Sequence, residues 1–138
     1  MNQLEVGLFT KLTGASGLTG LLAAGTAGVY AYLAPLNEDA AYVVFSKQAS
    51  TPRYTFGGVA VEDLLYQVRG VAVGPTMAAA GTIAKQIDLA LNDQALTVSG
   101  YSHLYLRRES DIQYVETDPG GQRWNHAGAL YRIVLDPT

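Results

Sequence analysis

The chain has 138 residues, of which 49% are hydrophobic and 15% charged, with a formal net charge of −3 and no cysteine. That length fits a single domain (1–138), able to bury about 68% of its unfolded surface. The charge disfavours direct capture of DNA, which needs cations to neutralise phosphates, and the missing cysteines exclude disulfides and Cys-based zinc sites. Sparse charge further predicts that part of the surface is buried against other chains, because a monomer of this size normally carries a charged, solvated skin.

Leu4, Leu8 and Leu12 recur every fourth residue and share one face of an N-terminal helix. Gly14 is expected to end that helix in the left-handed cap conformation, and Leu18, Leu21 and Leu22 suit a second short helical piece. No residue between Lys11 and Glu38 is charged, but five glycines, a proline and several hydroxyl residues interrupt the run. A spanning helix needs about 20 predominantly apolar residues, so no membrane segment is predicted. Glu5 precedes the first cation, unlike a secretory leader, and the chain reads as soluble and intracellular. Gly14-Ala-Ser-Gly-Leu-Thr-Gly lacks the lysine of a P-loop and the preceding strand of a dinucleotide fingerprint, so its glycines read as turn residues.

Strand one is predicted at Val29–Leu33 and ends at Pro35. The acidic turn Asn37-Glu38-Asp39 follows, then strand two at Ala41–Gln48, with Tyr42–Phe45 in the sheet core. Ser50–Val61 reads as a long hairpin connection, broken by Pro52 and Gly57-Gly58 and carrying Tyr54 and Phe56. Those aromatics form either a small satellite cluster or a docking arm. Leu64–Val73 alternates as a strand, with Tyr66, Val68 and Ala72 on one face and Gln67 and Arg69 on the other.

Thr76 is expected to cap a helix whose inner face is Ala80, Ile83, Ala84, Ile87 and Leu91. Gly81 within it costs up to about 1 kcal/mol relative to alanine and is expected to allow close packing on the sheet. Three further strands are predicted at Tyr101–Arg108, Ile112–Thr117 and Gly128–Leu135. Arg107–Asp111 reads as a solvated bend, and Asp118-Pro119-Gly120-Gly121 as a turn. The fold class is therefore α+β: one mixed, mainly antiparallel sheet with two main helices packed on one face.

Candidate chemistry is thin. Ser102, His103 and Asp111 can be written as a triad, but a triad is defined by geometry and no nucleophile elbow is present. His103 and His126 read as structural. No HExxH, His pair at i, i+4, or EF-hand loop occurs, and Glu38-Asp39 and Glu62-Asp63 are neighbours whose side chains diverge. No cofactor is predicted. Trp124 either marks an interface hot spot, together with arginine, or caps the open end of the sheet. The candidate contact residues are Glu38, Asp39, Tyr54, Phe56, Arg107, Arg108, Arg123 and Trp124.

Taken in order, the chain resembles the tail-completion (tail-terminator) family of long-tailed bacteriophages. The resemblance rests on the helix Leu4–Leu12, Val29-Tyr30 through Ala34-Pro35, and the strand Ala41-Tyr42-Val43-Val44-Phe45. It continues through the alternating Leu65–Val73, the helix end Ile87-Asp88-Leu89-Ala90-Leu91-Asn92, and the closing His126 to Val134. It implies a virion protein, assembled in the bacterial cytoplasm, that forms a hexameric ring on the head-proximal end of the tail tube. Such a ring stops tube polymerisation and offers the surface on which the filled head docks. The implied partners are further copies of the chain, the major tail tube protein and a neck or stopper protein, with DNA passing through the lumen without specific binding. No catalysis is implied. A net acidic subunit suits a wall past which DNA slides. Two alternatives are a head-closure (stopper) or other neck or minor tail component, and a small hydrolase using His103 or His126.

Overall fold

A computed structural model describes residues 2–36 and 38–137. Helix α1 (Gln3–Thr13) starts at a capping box. The Glu5 amide donates to Asn2 Oδ1 at 2.8 Å, and the Asn2 amide donates back to Glu5 Oε1 at 3.3 Å. This satisfies two of the donors that a helix start leaves unpaired. Leu4, Leu8 and Leu12 are buried, as their spacing predicts. Gly14 does end the helix, but with φ −80° rather than in the left-handed region, because the chain continues directly into the short α2 (Ser16–Thr19).

The sheet has five strands in the order β1-β2-β3-β5-β4. They are β1 (Val29–Ala31), β2 (Tyr42–Thr55), β3 (Gly58–Val73), β4 (Tyr101–Thr117) and β5 (Arg123–Pro137). β1 runs parallel to β2 and every other pair is antiparallel. Helix α3 (Ala78–Leu91) joins α1 on one face. The core between helices and sheet holds Leu8, Leu12, Phe45, Tyr66, Val68, Ile83, Ile87, Tyr131 and Ile133. This is the expected α+β architecture, with the helices on one face.

Four local expectations change. Ser50–Val61 is not a loop, since β2 and β3 run through it and pair from Tyr42↔Val71 to Thr55↔Gly58. Pro52 is tolerated because it lies past the end of β1, on an edge stretch where a strand can lack a donor. The turn is only Phe56-Gly57, and Gly58 supplies the positive φ of 123°.

Arg107–Asp111 is likewise not a bend. β4 is one strand, with register shifts at His103/Tyr105 and Arg108/Ser110 that absorb the irregularity as bulges. Thr76 is not the cap of α3. Met77 holds that position with no side-chain bond, and Thr76 Oγ1 only reaches the Ala78 amide at 3.5 Å.

Gly81 faces open space, so it is not what brings helix and sheet together. Gly70 on β3 does that: a Cβ there would lie 2.3 Å from Ile83 Cγ2.

Candidate assembly interface

The β2–β3 hairpin outruns the sheet. β5 pairs with β3 only from Glu62 onward, so Pro52–Val61 projects as a two-stranded ribbon, about 15 Å long at 3.3 Å per residue. Its residues are exposed up to Val59, and Tyr54 and Phe56 stand free near its tip. A lone ribbon of this kind is marginally stable in water. Of the two readings of Tyr54 and Phe56, a satellite cluster is therefore replaced by an arm.

A second exposed feature begins where β1 ends. The Leu33 amide donates to the Ala31 carbonyl at 2.8 Å around Tyr32, whose φ is 69°. A tight turn with positive φ at a bulky residue is strained. It is held because the Tyr32 hydroxyl donates to the buried Glu5 carboxylate and the Tyr32 amide donates to the Phe45 carbonyl at 2.8 Å. The turn throws Leu33-Ala34-Pro35-Leu36 across the helix-free face of the sheet, above Val44, Arg69 and His126. Leu33 is 83% and Leu36 92% exposed.

Further along, Trp124 Nε1 donates to the Glu38 carbonyl at 3.0 Å. Glu38 and Trp124 are thus brought together, and Trp124, half-buried, fastens this crossover to the start of β5. Asp39 beside them is exposed, and Asn37 lies outside the described residues.

Beneath the crossover the sheet face is polar and internally paired. Arg69 Nε donates to His126 Nδ1 at 3.1 Å, and Arg69 also reaches Gln67. His126 Nε2 lies 2.7 Å from Glu116 Oε1, close but not aligned as a hydrogen bond. Tyr114 stacks on the imidazole with centroids 4.4 Å apart. Burial pushes the His126 pKa down, Arg69 adds to this, and Glu116 opposes it only in part. Nearer the arm, buried Asp63 takes both Arg132 and Arg53 (3.3 Å), while Arg132 also binds Glu109 at 2.8 Å. The neighbours Glu62 and Asp63 sit on successive strand positions and so face opposite sides.

The other named cations are tied within the chain. Arg107 pairs with Asp93 at 2.9 Å. Arg108 lies 3.6 Å from Asp88 and 3.7 Å from Asp111. Both fasten β4 to the end of α3, aided by the Arg108 amide donating to Asn92 Oδ1 at 2.9 Å. Arg123 reaches the Pro75 carbonyl at 3.4 Å.

Nothing gathers the catalytic candidates. His103 and Asp111 are eight positions apart on one strand, roughly 25 Å at strand rise. His103 Nδ1 instead accepts the Leu96 amide at 3.4 Å, and its burial lowers its pKa. Among the described residues, no group of three or more His, Asp or Glu is placed to hold a metal ion, and no helix is long and apolar enough to cross a membrane. In Gly14–Gly20 the amides of Leu18, Thr19 and Gly20 bond back to Ala15 and Ser16 carbonyls, so none of these three is left for a phosphate.

A sequence profile of the family described as tail completion protein gp17 matches residues 6–136. The chain belongs to that family. It is therefore a structural protein of the phage tail. A search of curated proteins finds no match. Among solved structures, a chain of the virion of a native gene transfer agent particle has the same fold. It superposes with a TM-score of 0.76 at 18% identity, covering 97% of this chain and 95% of that one.

Sequence reasoning missed Leu33 and Leu36, although an apolar Leu-Ala-Pro-Leu run with no polar alternation was a usable sign. It also missed Asn125. That side chain is buried, and its Nδ2 donates to the carbonyls of Gly74 (2.9 Å), Thr76 (2.8 Å) and, more distantly, Ala72 (3.3 Å). It holds the β3–α3 connection in place.

Proposed function

We propose that this tail-completion protein is the subunit of a ring, six copies in the reading implied by its family, that sits on the head-proximal end of the tail tube. The ring ends tube polymerisation and presents the surface on which the head joins. The observation that carries this reading is the Pro52–Val61 arm: a ribbon that projects beyond the rest of the sheet with Tyr54 and Phe56 exposed near its tip, on a member of a tail-completion family. Such an arm gains its stability from what it docks on. We assign it to the contact with the tube or the neck protein, and the turn at Asp118–Gly121 with Arg123 and Trp124 to the opposite end. The acidic net charge lets DNA pass the lumen without being retained, and the subunit performs no catalytic step.

The test is a phage lacking this gene. Overlong tails support termination, whereas tails of normal length with heads that lose DNA assign the chain to head closure instead. Light scattering of the purified protein, alone and with tails, reads the ring directly. Monomers under every condition would remove the ring.

A further inference from the structure

The ring reading leaves open which surfaces join neighbouring subunits, and the inference below rests on that reading. We propose that Leu33 and Leu36 of one copy seat in a groove between α1 and α3 of the next copy. The groove has a volume of about 610 Å³ and is lined by Val6, Gly7, Ala15, Leu89 and Ala90, among others. Val6 is 44% and Leu89 62% exposed, so the groove shows apolar surface to solvent. The two leucines are 83% and 92% exposed, and the Tyr32 turn anchored on Glu5 holds their segment in a fixed path. Loose apolar residues on a surface are ordinary, but a preset apolar projection and a hollow whose floor is apolar only in part, at Val6, Ala15, Leu89 and Ala90, still match in one chain.

Charge agrees with the pairing. Among the described residues, Lys11 is the one charged residue lining the groove, and it has no ion pair. Glu38 and Asp39 flank the leucines, and neither is in an ion pair among the described residues. Seating the projection therefore brings two carboxylates toward the lysine, which favours this partner and its orientation.

The two surfaces also lie on opposite sides of the molecule. The groove is in the helix layer and the leucines are on the helix-free face of the sheet. Two copies cannot satisfy both surfaces reciprocally, so the contact is heterologous, the kind that generates a ring when its rotation closes. The groove's occupant is a second copy of this chain.

Two double variants test this by mixing. Leu33→Asp with Leu36→Asp spoils the projection and spares the groove. Val6→Asp with Leu89→Asp spoils the groove and spares the projection. All four positions are exposed, and circular dichroism with thermal melting checks that both variants stay folded. The expected result is loss of the ring in each alone, and in an equimolar mixture a one-to-one complex of twice the 14.7 kDa subunit mass. That complex forms because one intact projection meets one intact groove. Rings that persist in either variant, or a mixture that stays monomeric, overturn the pairing while a wild-type ring still stands. A wild-type protein that never assembles defeats the ring reading itself.

Discussion

The Tyr66 hydroxyl donates to Glu5 Oε2 at 3.0 Å, joining the centre of β3 to the first turn of α1 across 61 positions of sequence. The same carboxylate takes Tyr32 and the Asn2 amide. Burial alone would raise the Glu5 pKa, but these hydrogen bonds outweigh it and hold the group below its ordinary value. Tyr66→Phe or Glu5→Gln should each cost about 1–3 kcal/mol, since each leaves buried polar groups short of partners. The pair should be non-additive in a double-mutant cycle read by urea unfolding. Because the folded pKa is depressed, the stabilisation is complete above the unfolded carboxylate pKa and is lost as pH falls through the folded one. Glu5→Gln should flatten that acid limb.

Gly70 and Gly81 should respond in opposite directions to alanine. Gly81 sits exposed in α3 with open space around its Cβ position, so Gly81→Ala should stabilise by up to about 1 kcal/mol. Gly70→Ala drives a methyl into Ile83 and should destabilise by about 1–3 kcal/mol. Melting of the two variants side by side decides the matter, and equal shifts would contradict the packing described.

Much of this fold was legible beforehand, and the reason is periodic burial. Leu4-Leu8-Leu12 and Ile83-Ile87-Leu91 mark helix faces against the sheet, and Tyr66, Val68 and Ala72 mark the inner face of β3. The arm was hidden because it buries nothing: with no inner face, residues 50–59 show no two-residue alternation, and Pro52 and two glycines then dominate the reading. The candidate contact residues were legible only in part. Tyr54 and Phe56, which the sequence left between a satellite cluster and a docking arm, are exposed, but Arg107 and Arg108 could not be told from free surface cations until Asp93 and Asp88 were placed beside them.

Asn125 offers a sharper test than burial alone. Asn125→Ala should lose about 1–3 kcal/mol by stranding carbonyls of the β3–α3 connection. Asn125→Asp should lose more, because a carboxylate would face the same carbonyl oxygens without a donor. Hydrogen exchange or proteolysis should show that connection opening first in both variants.

His126 should titrate below the ordinary histidine value of about 6.5, followed by its ring protons in NMR. Glu116→Gln should lower the midpoint further, since the carboxylate is what partly opposes burial and Arg69. As pH falls below about 6.5 the unfolded chain takes the proton first, so stability from this group declines from there down to the folded midpoint.

The arm should separate assembly from folding. Tyr54→Ser with Phe56→Ser removes exposed rings only and should leave unfolding within about 0.5 kcal/mol of wild type. Tail joining, scored by infectious particles or by electron microscopy of tails, should fall sharply.

The two bulges of β4 bear on a different hazard. β4, paired only with β5, leaves an outer edge from Tyr101 to Thr117 that is long enough to recruit another strand and so to grow fibres. The kinks at His103/Tyr105 and Arg108/Ser110 break the straight row of backbone donors and acceptors. Arg107, Arg108, Glu109 and Asp111 place charge where an incoming strand would lie. A structural protein of the phage tail is thereby blunted against seeding a polymer through this edge.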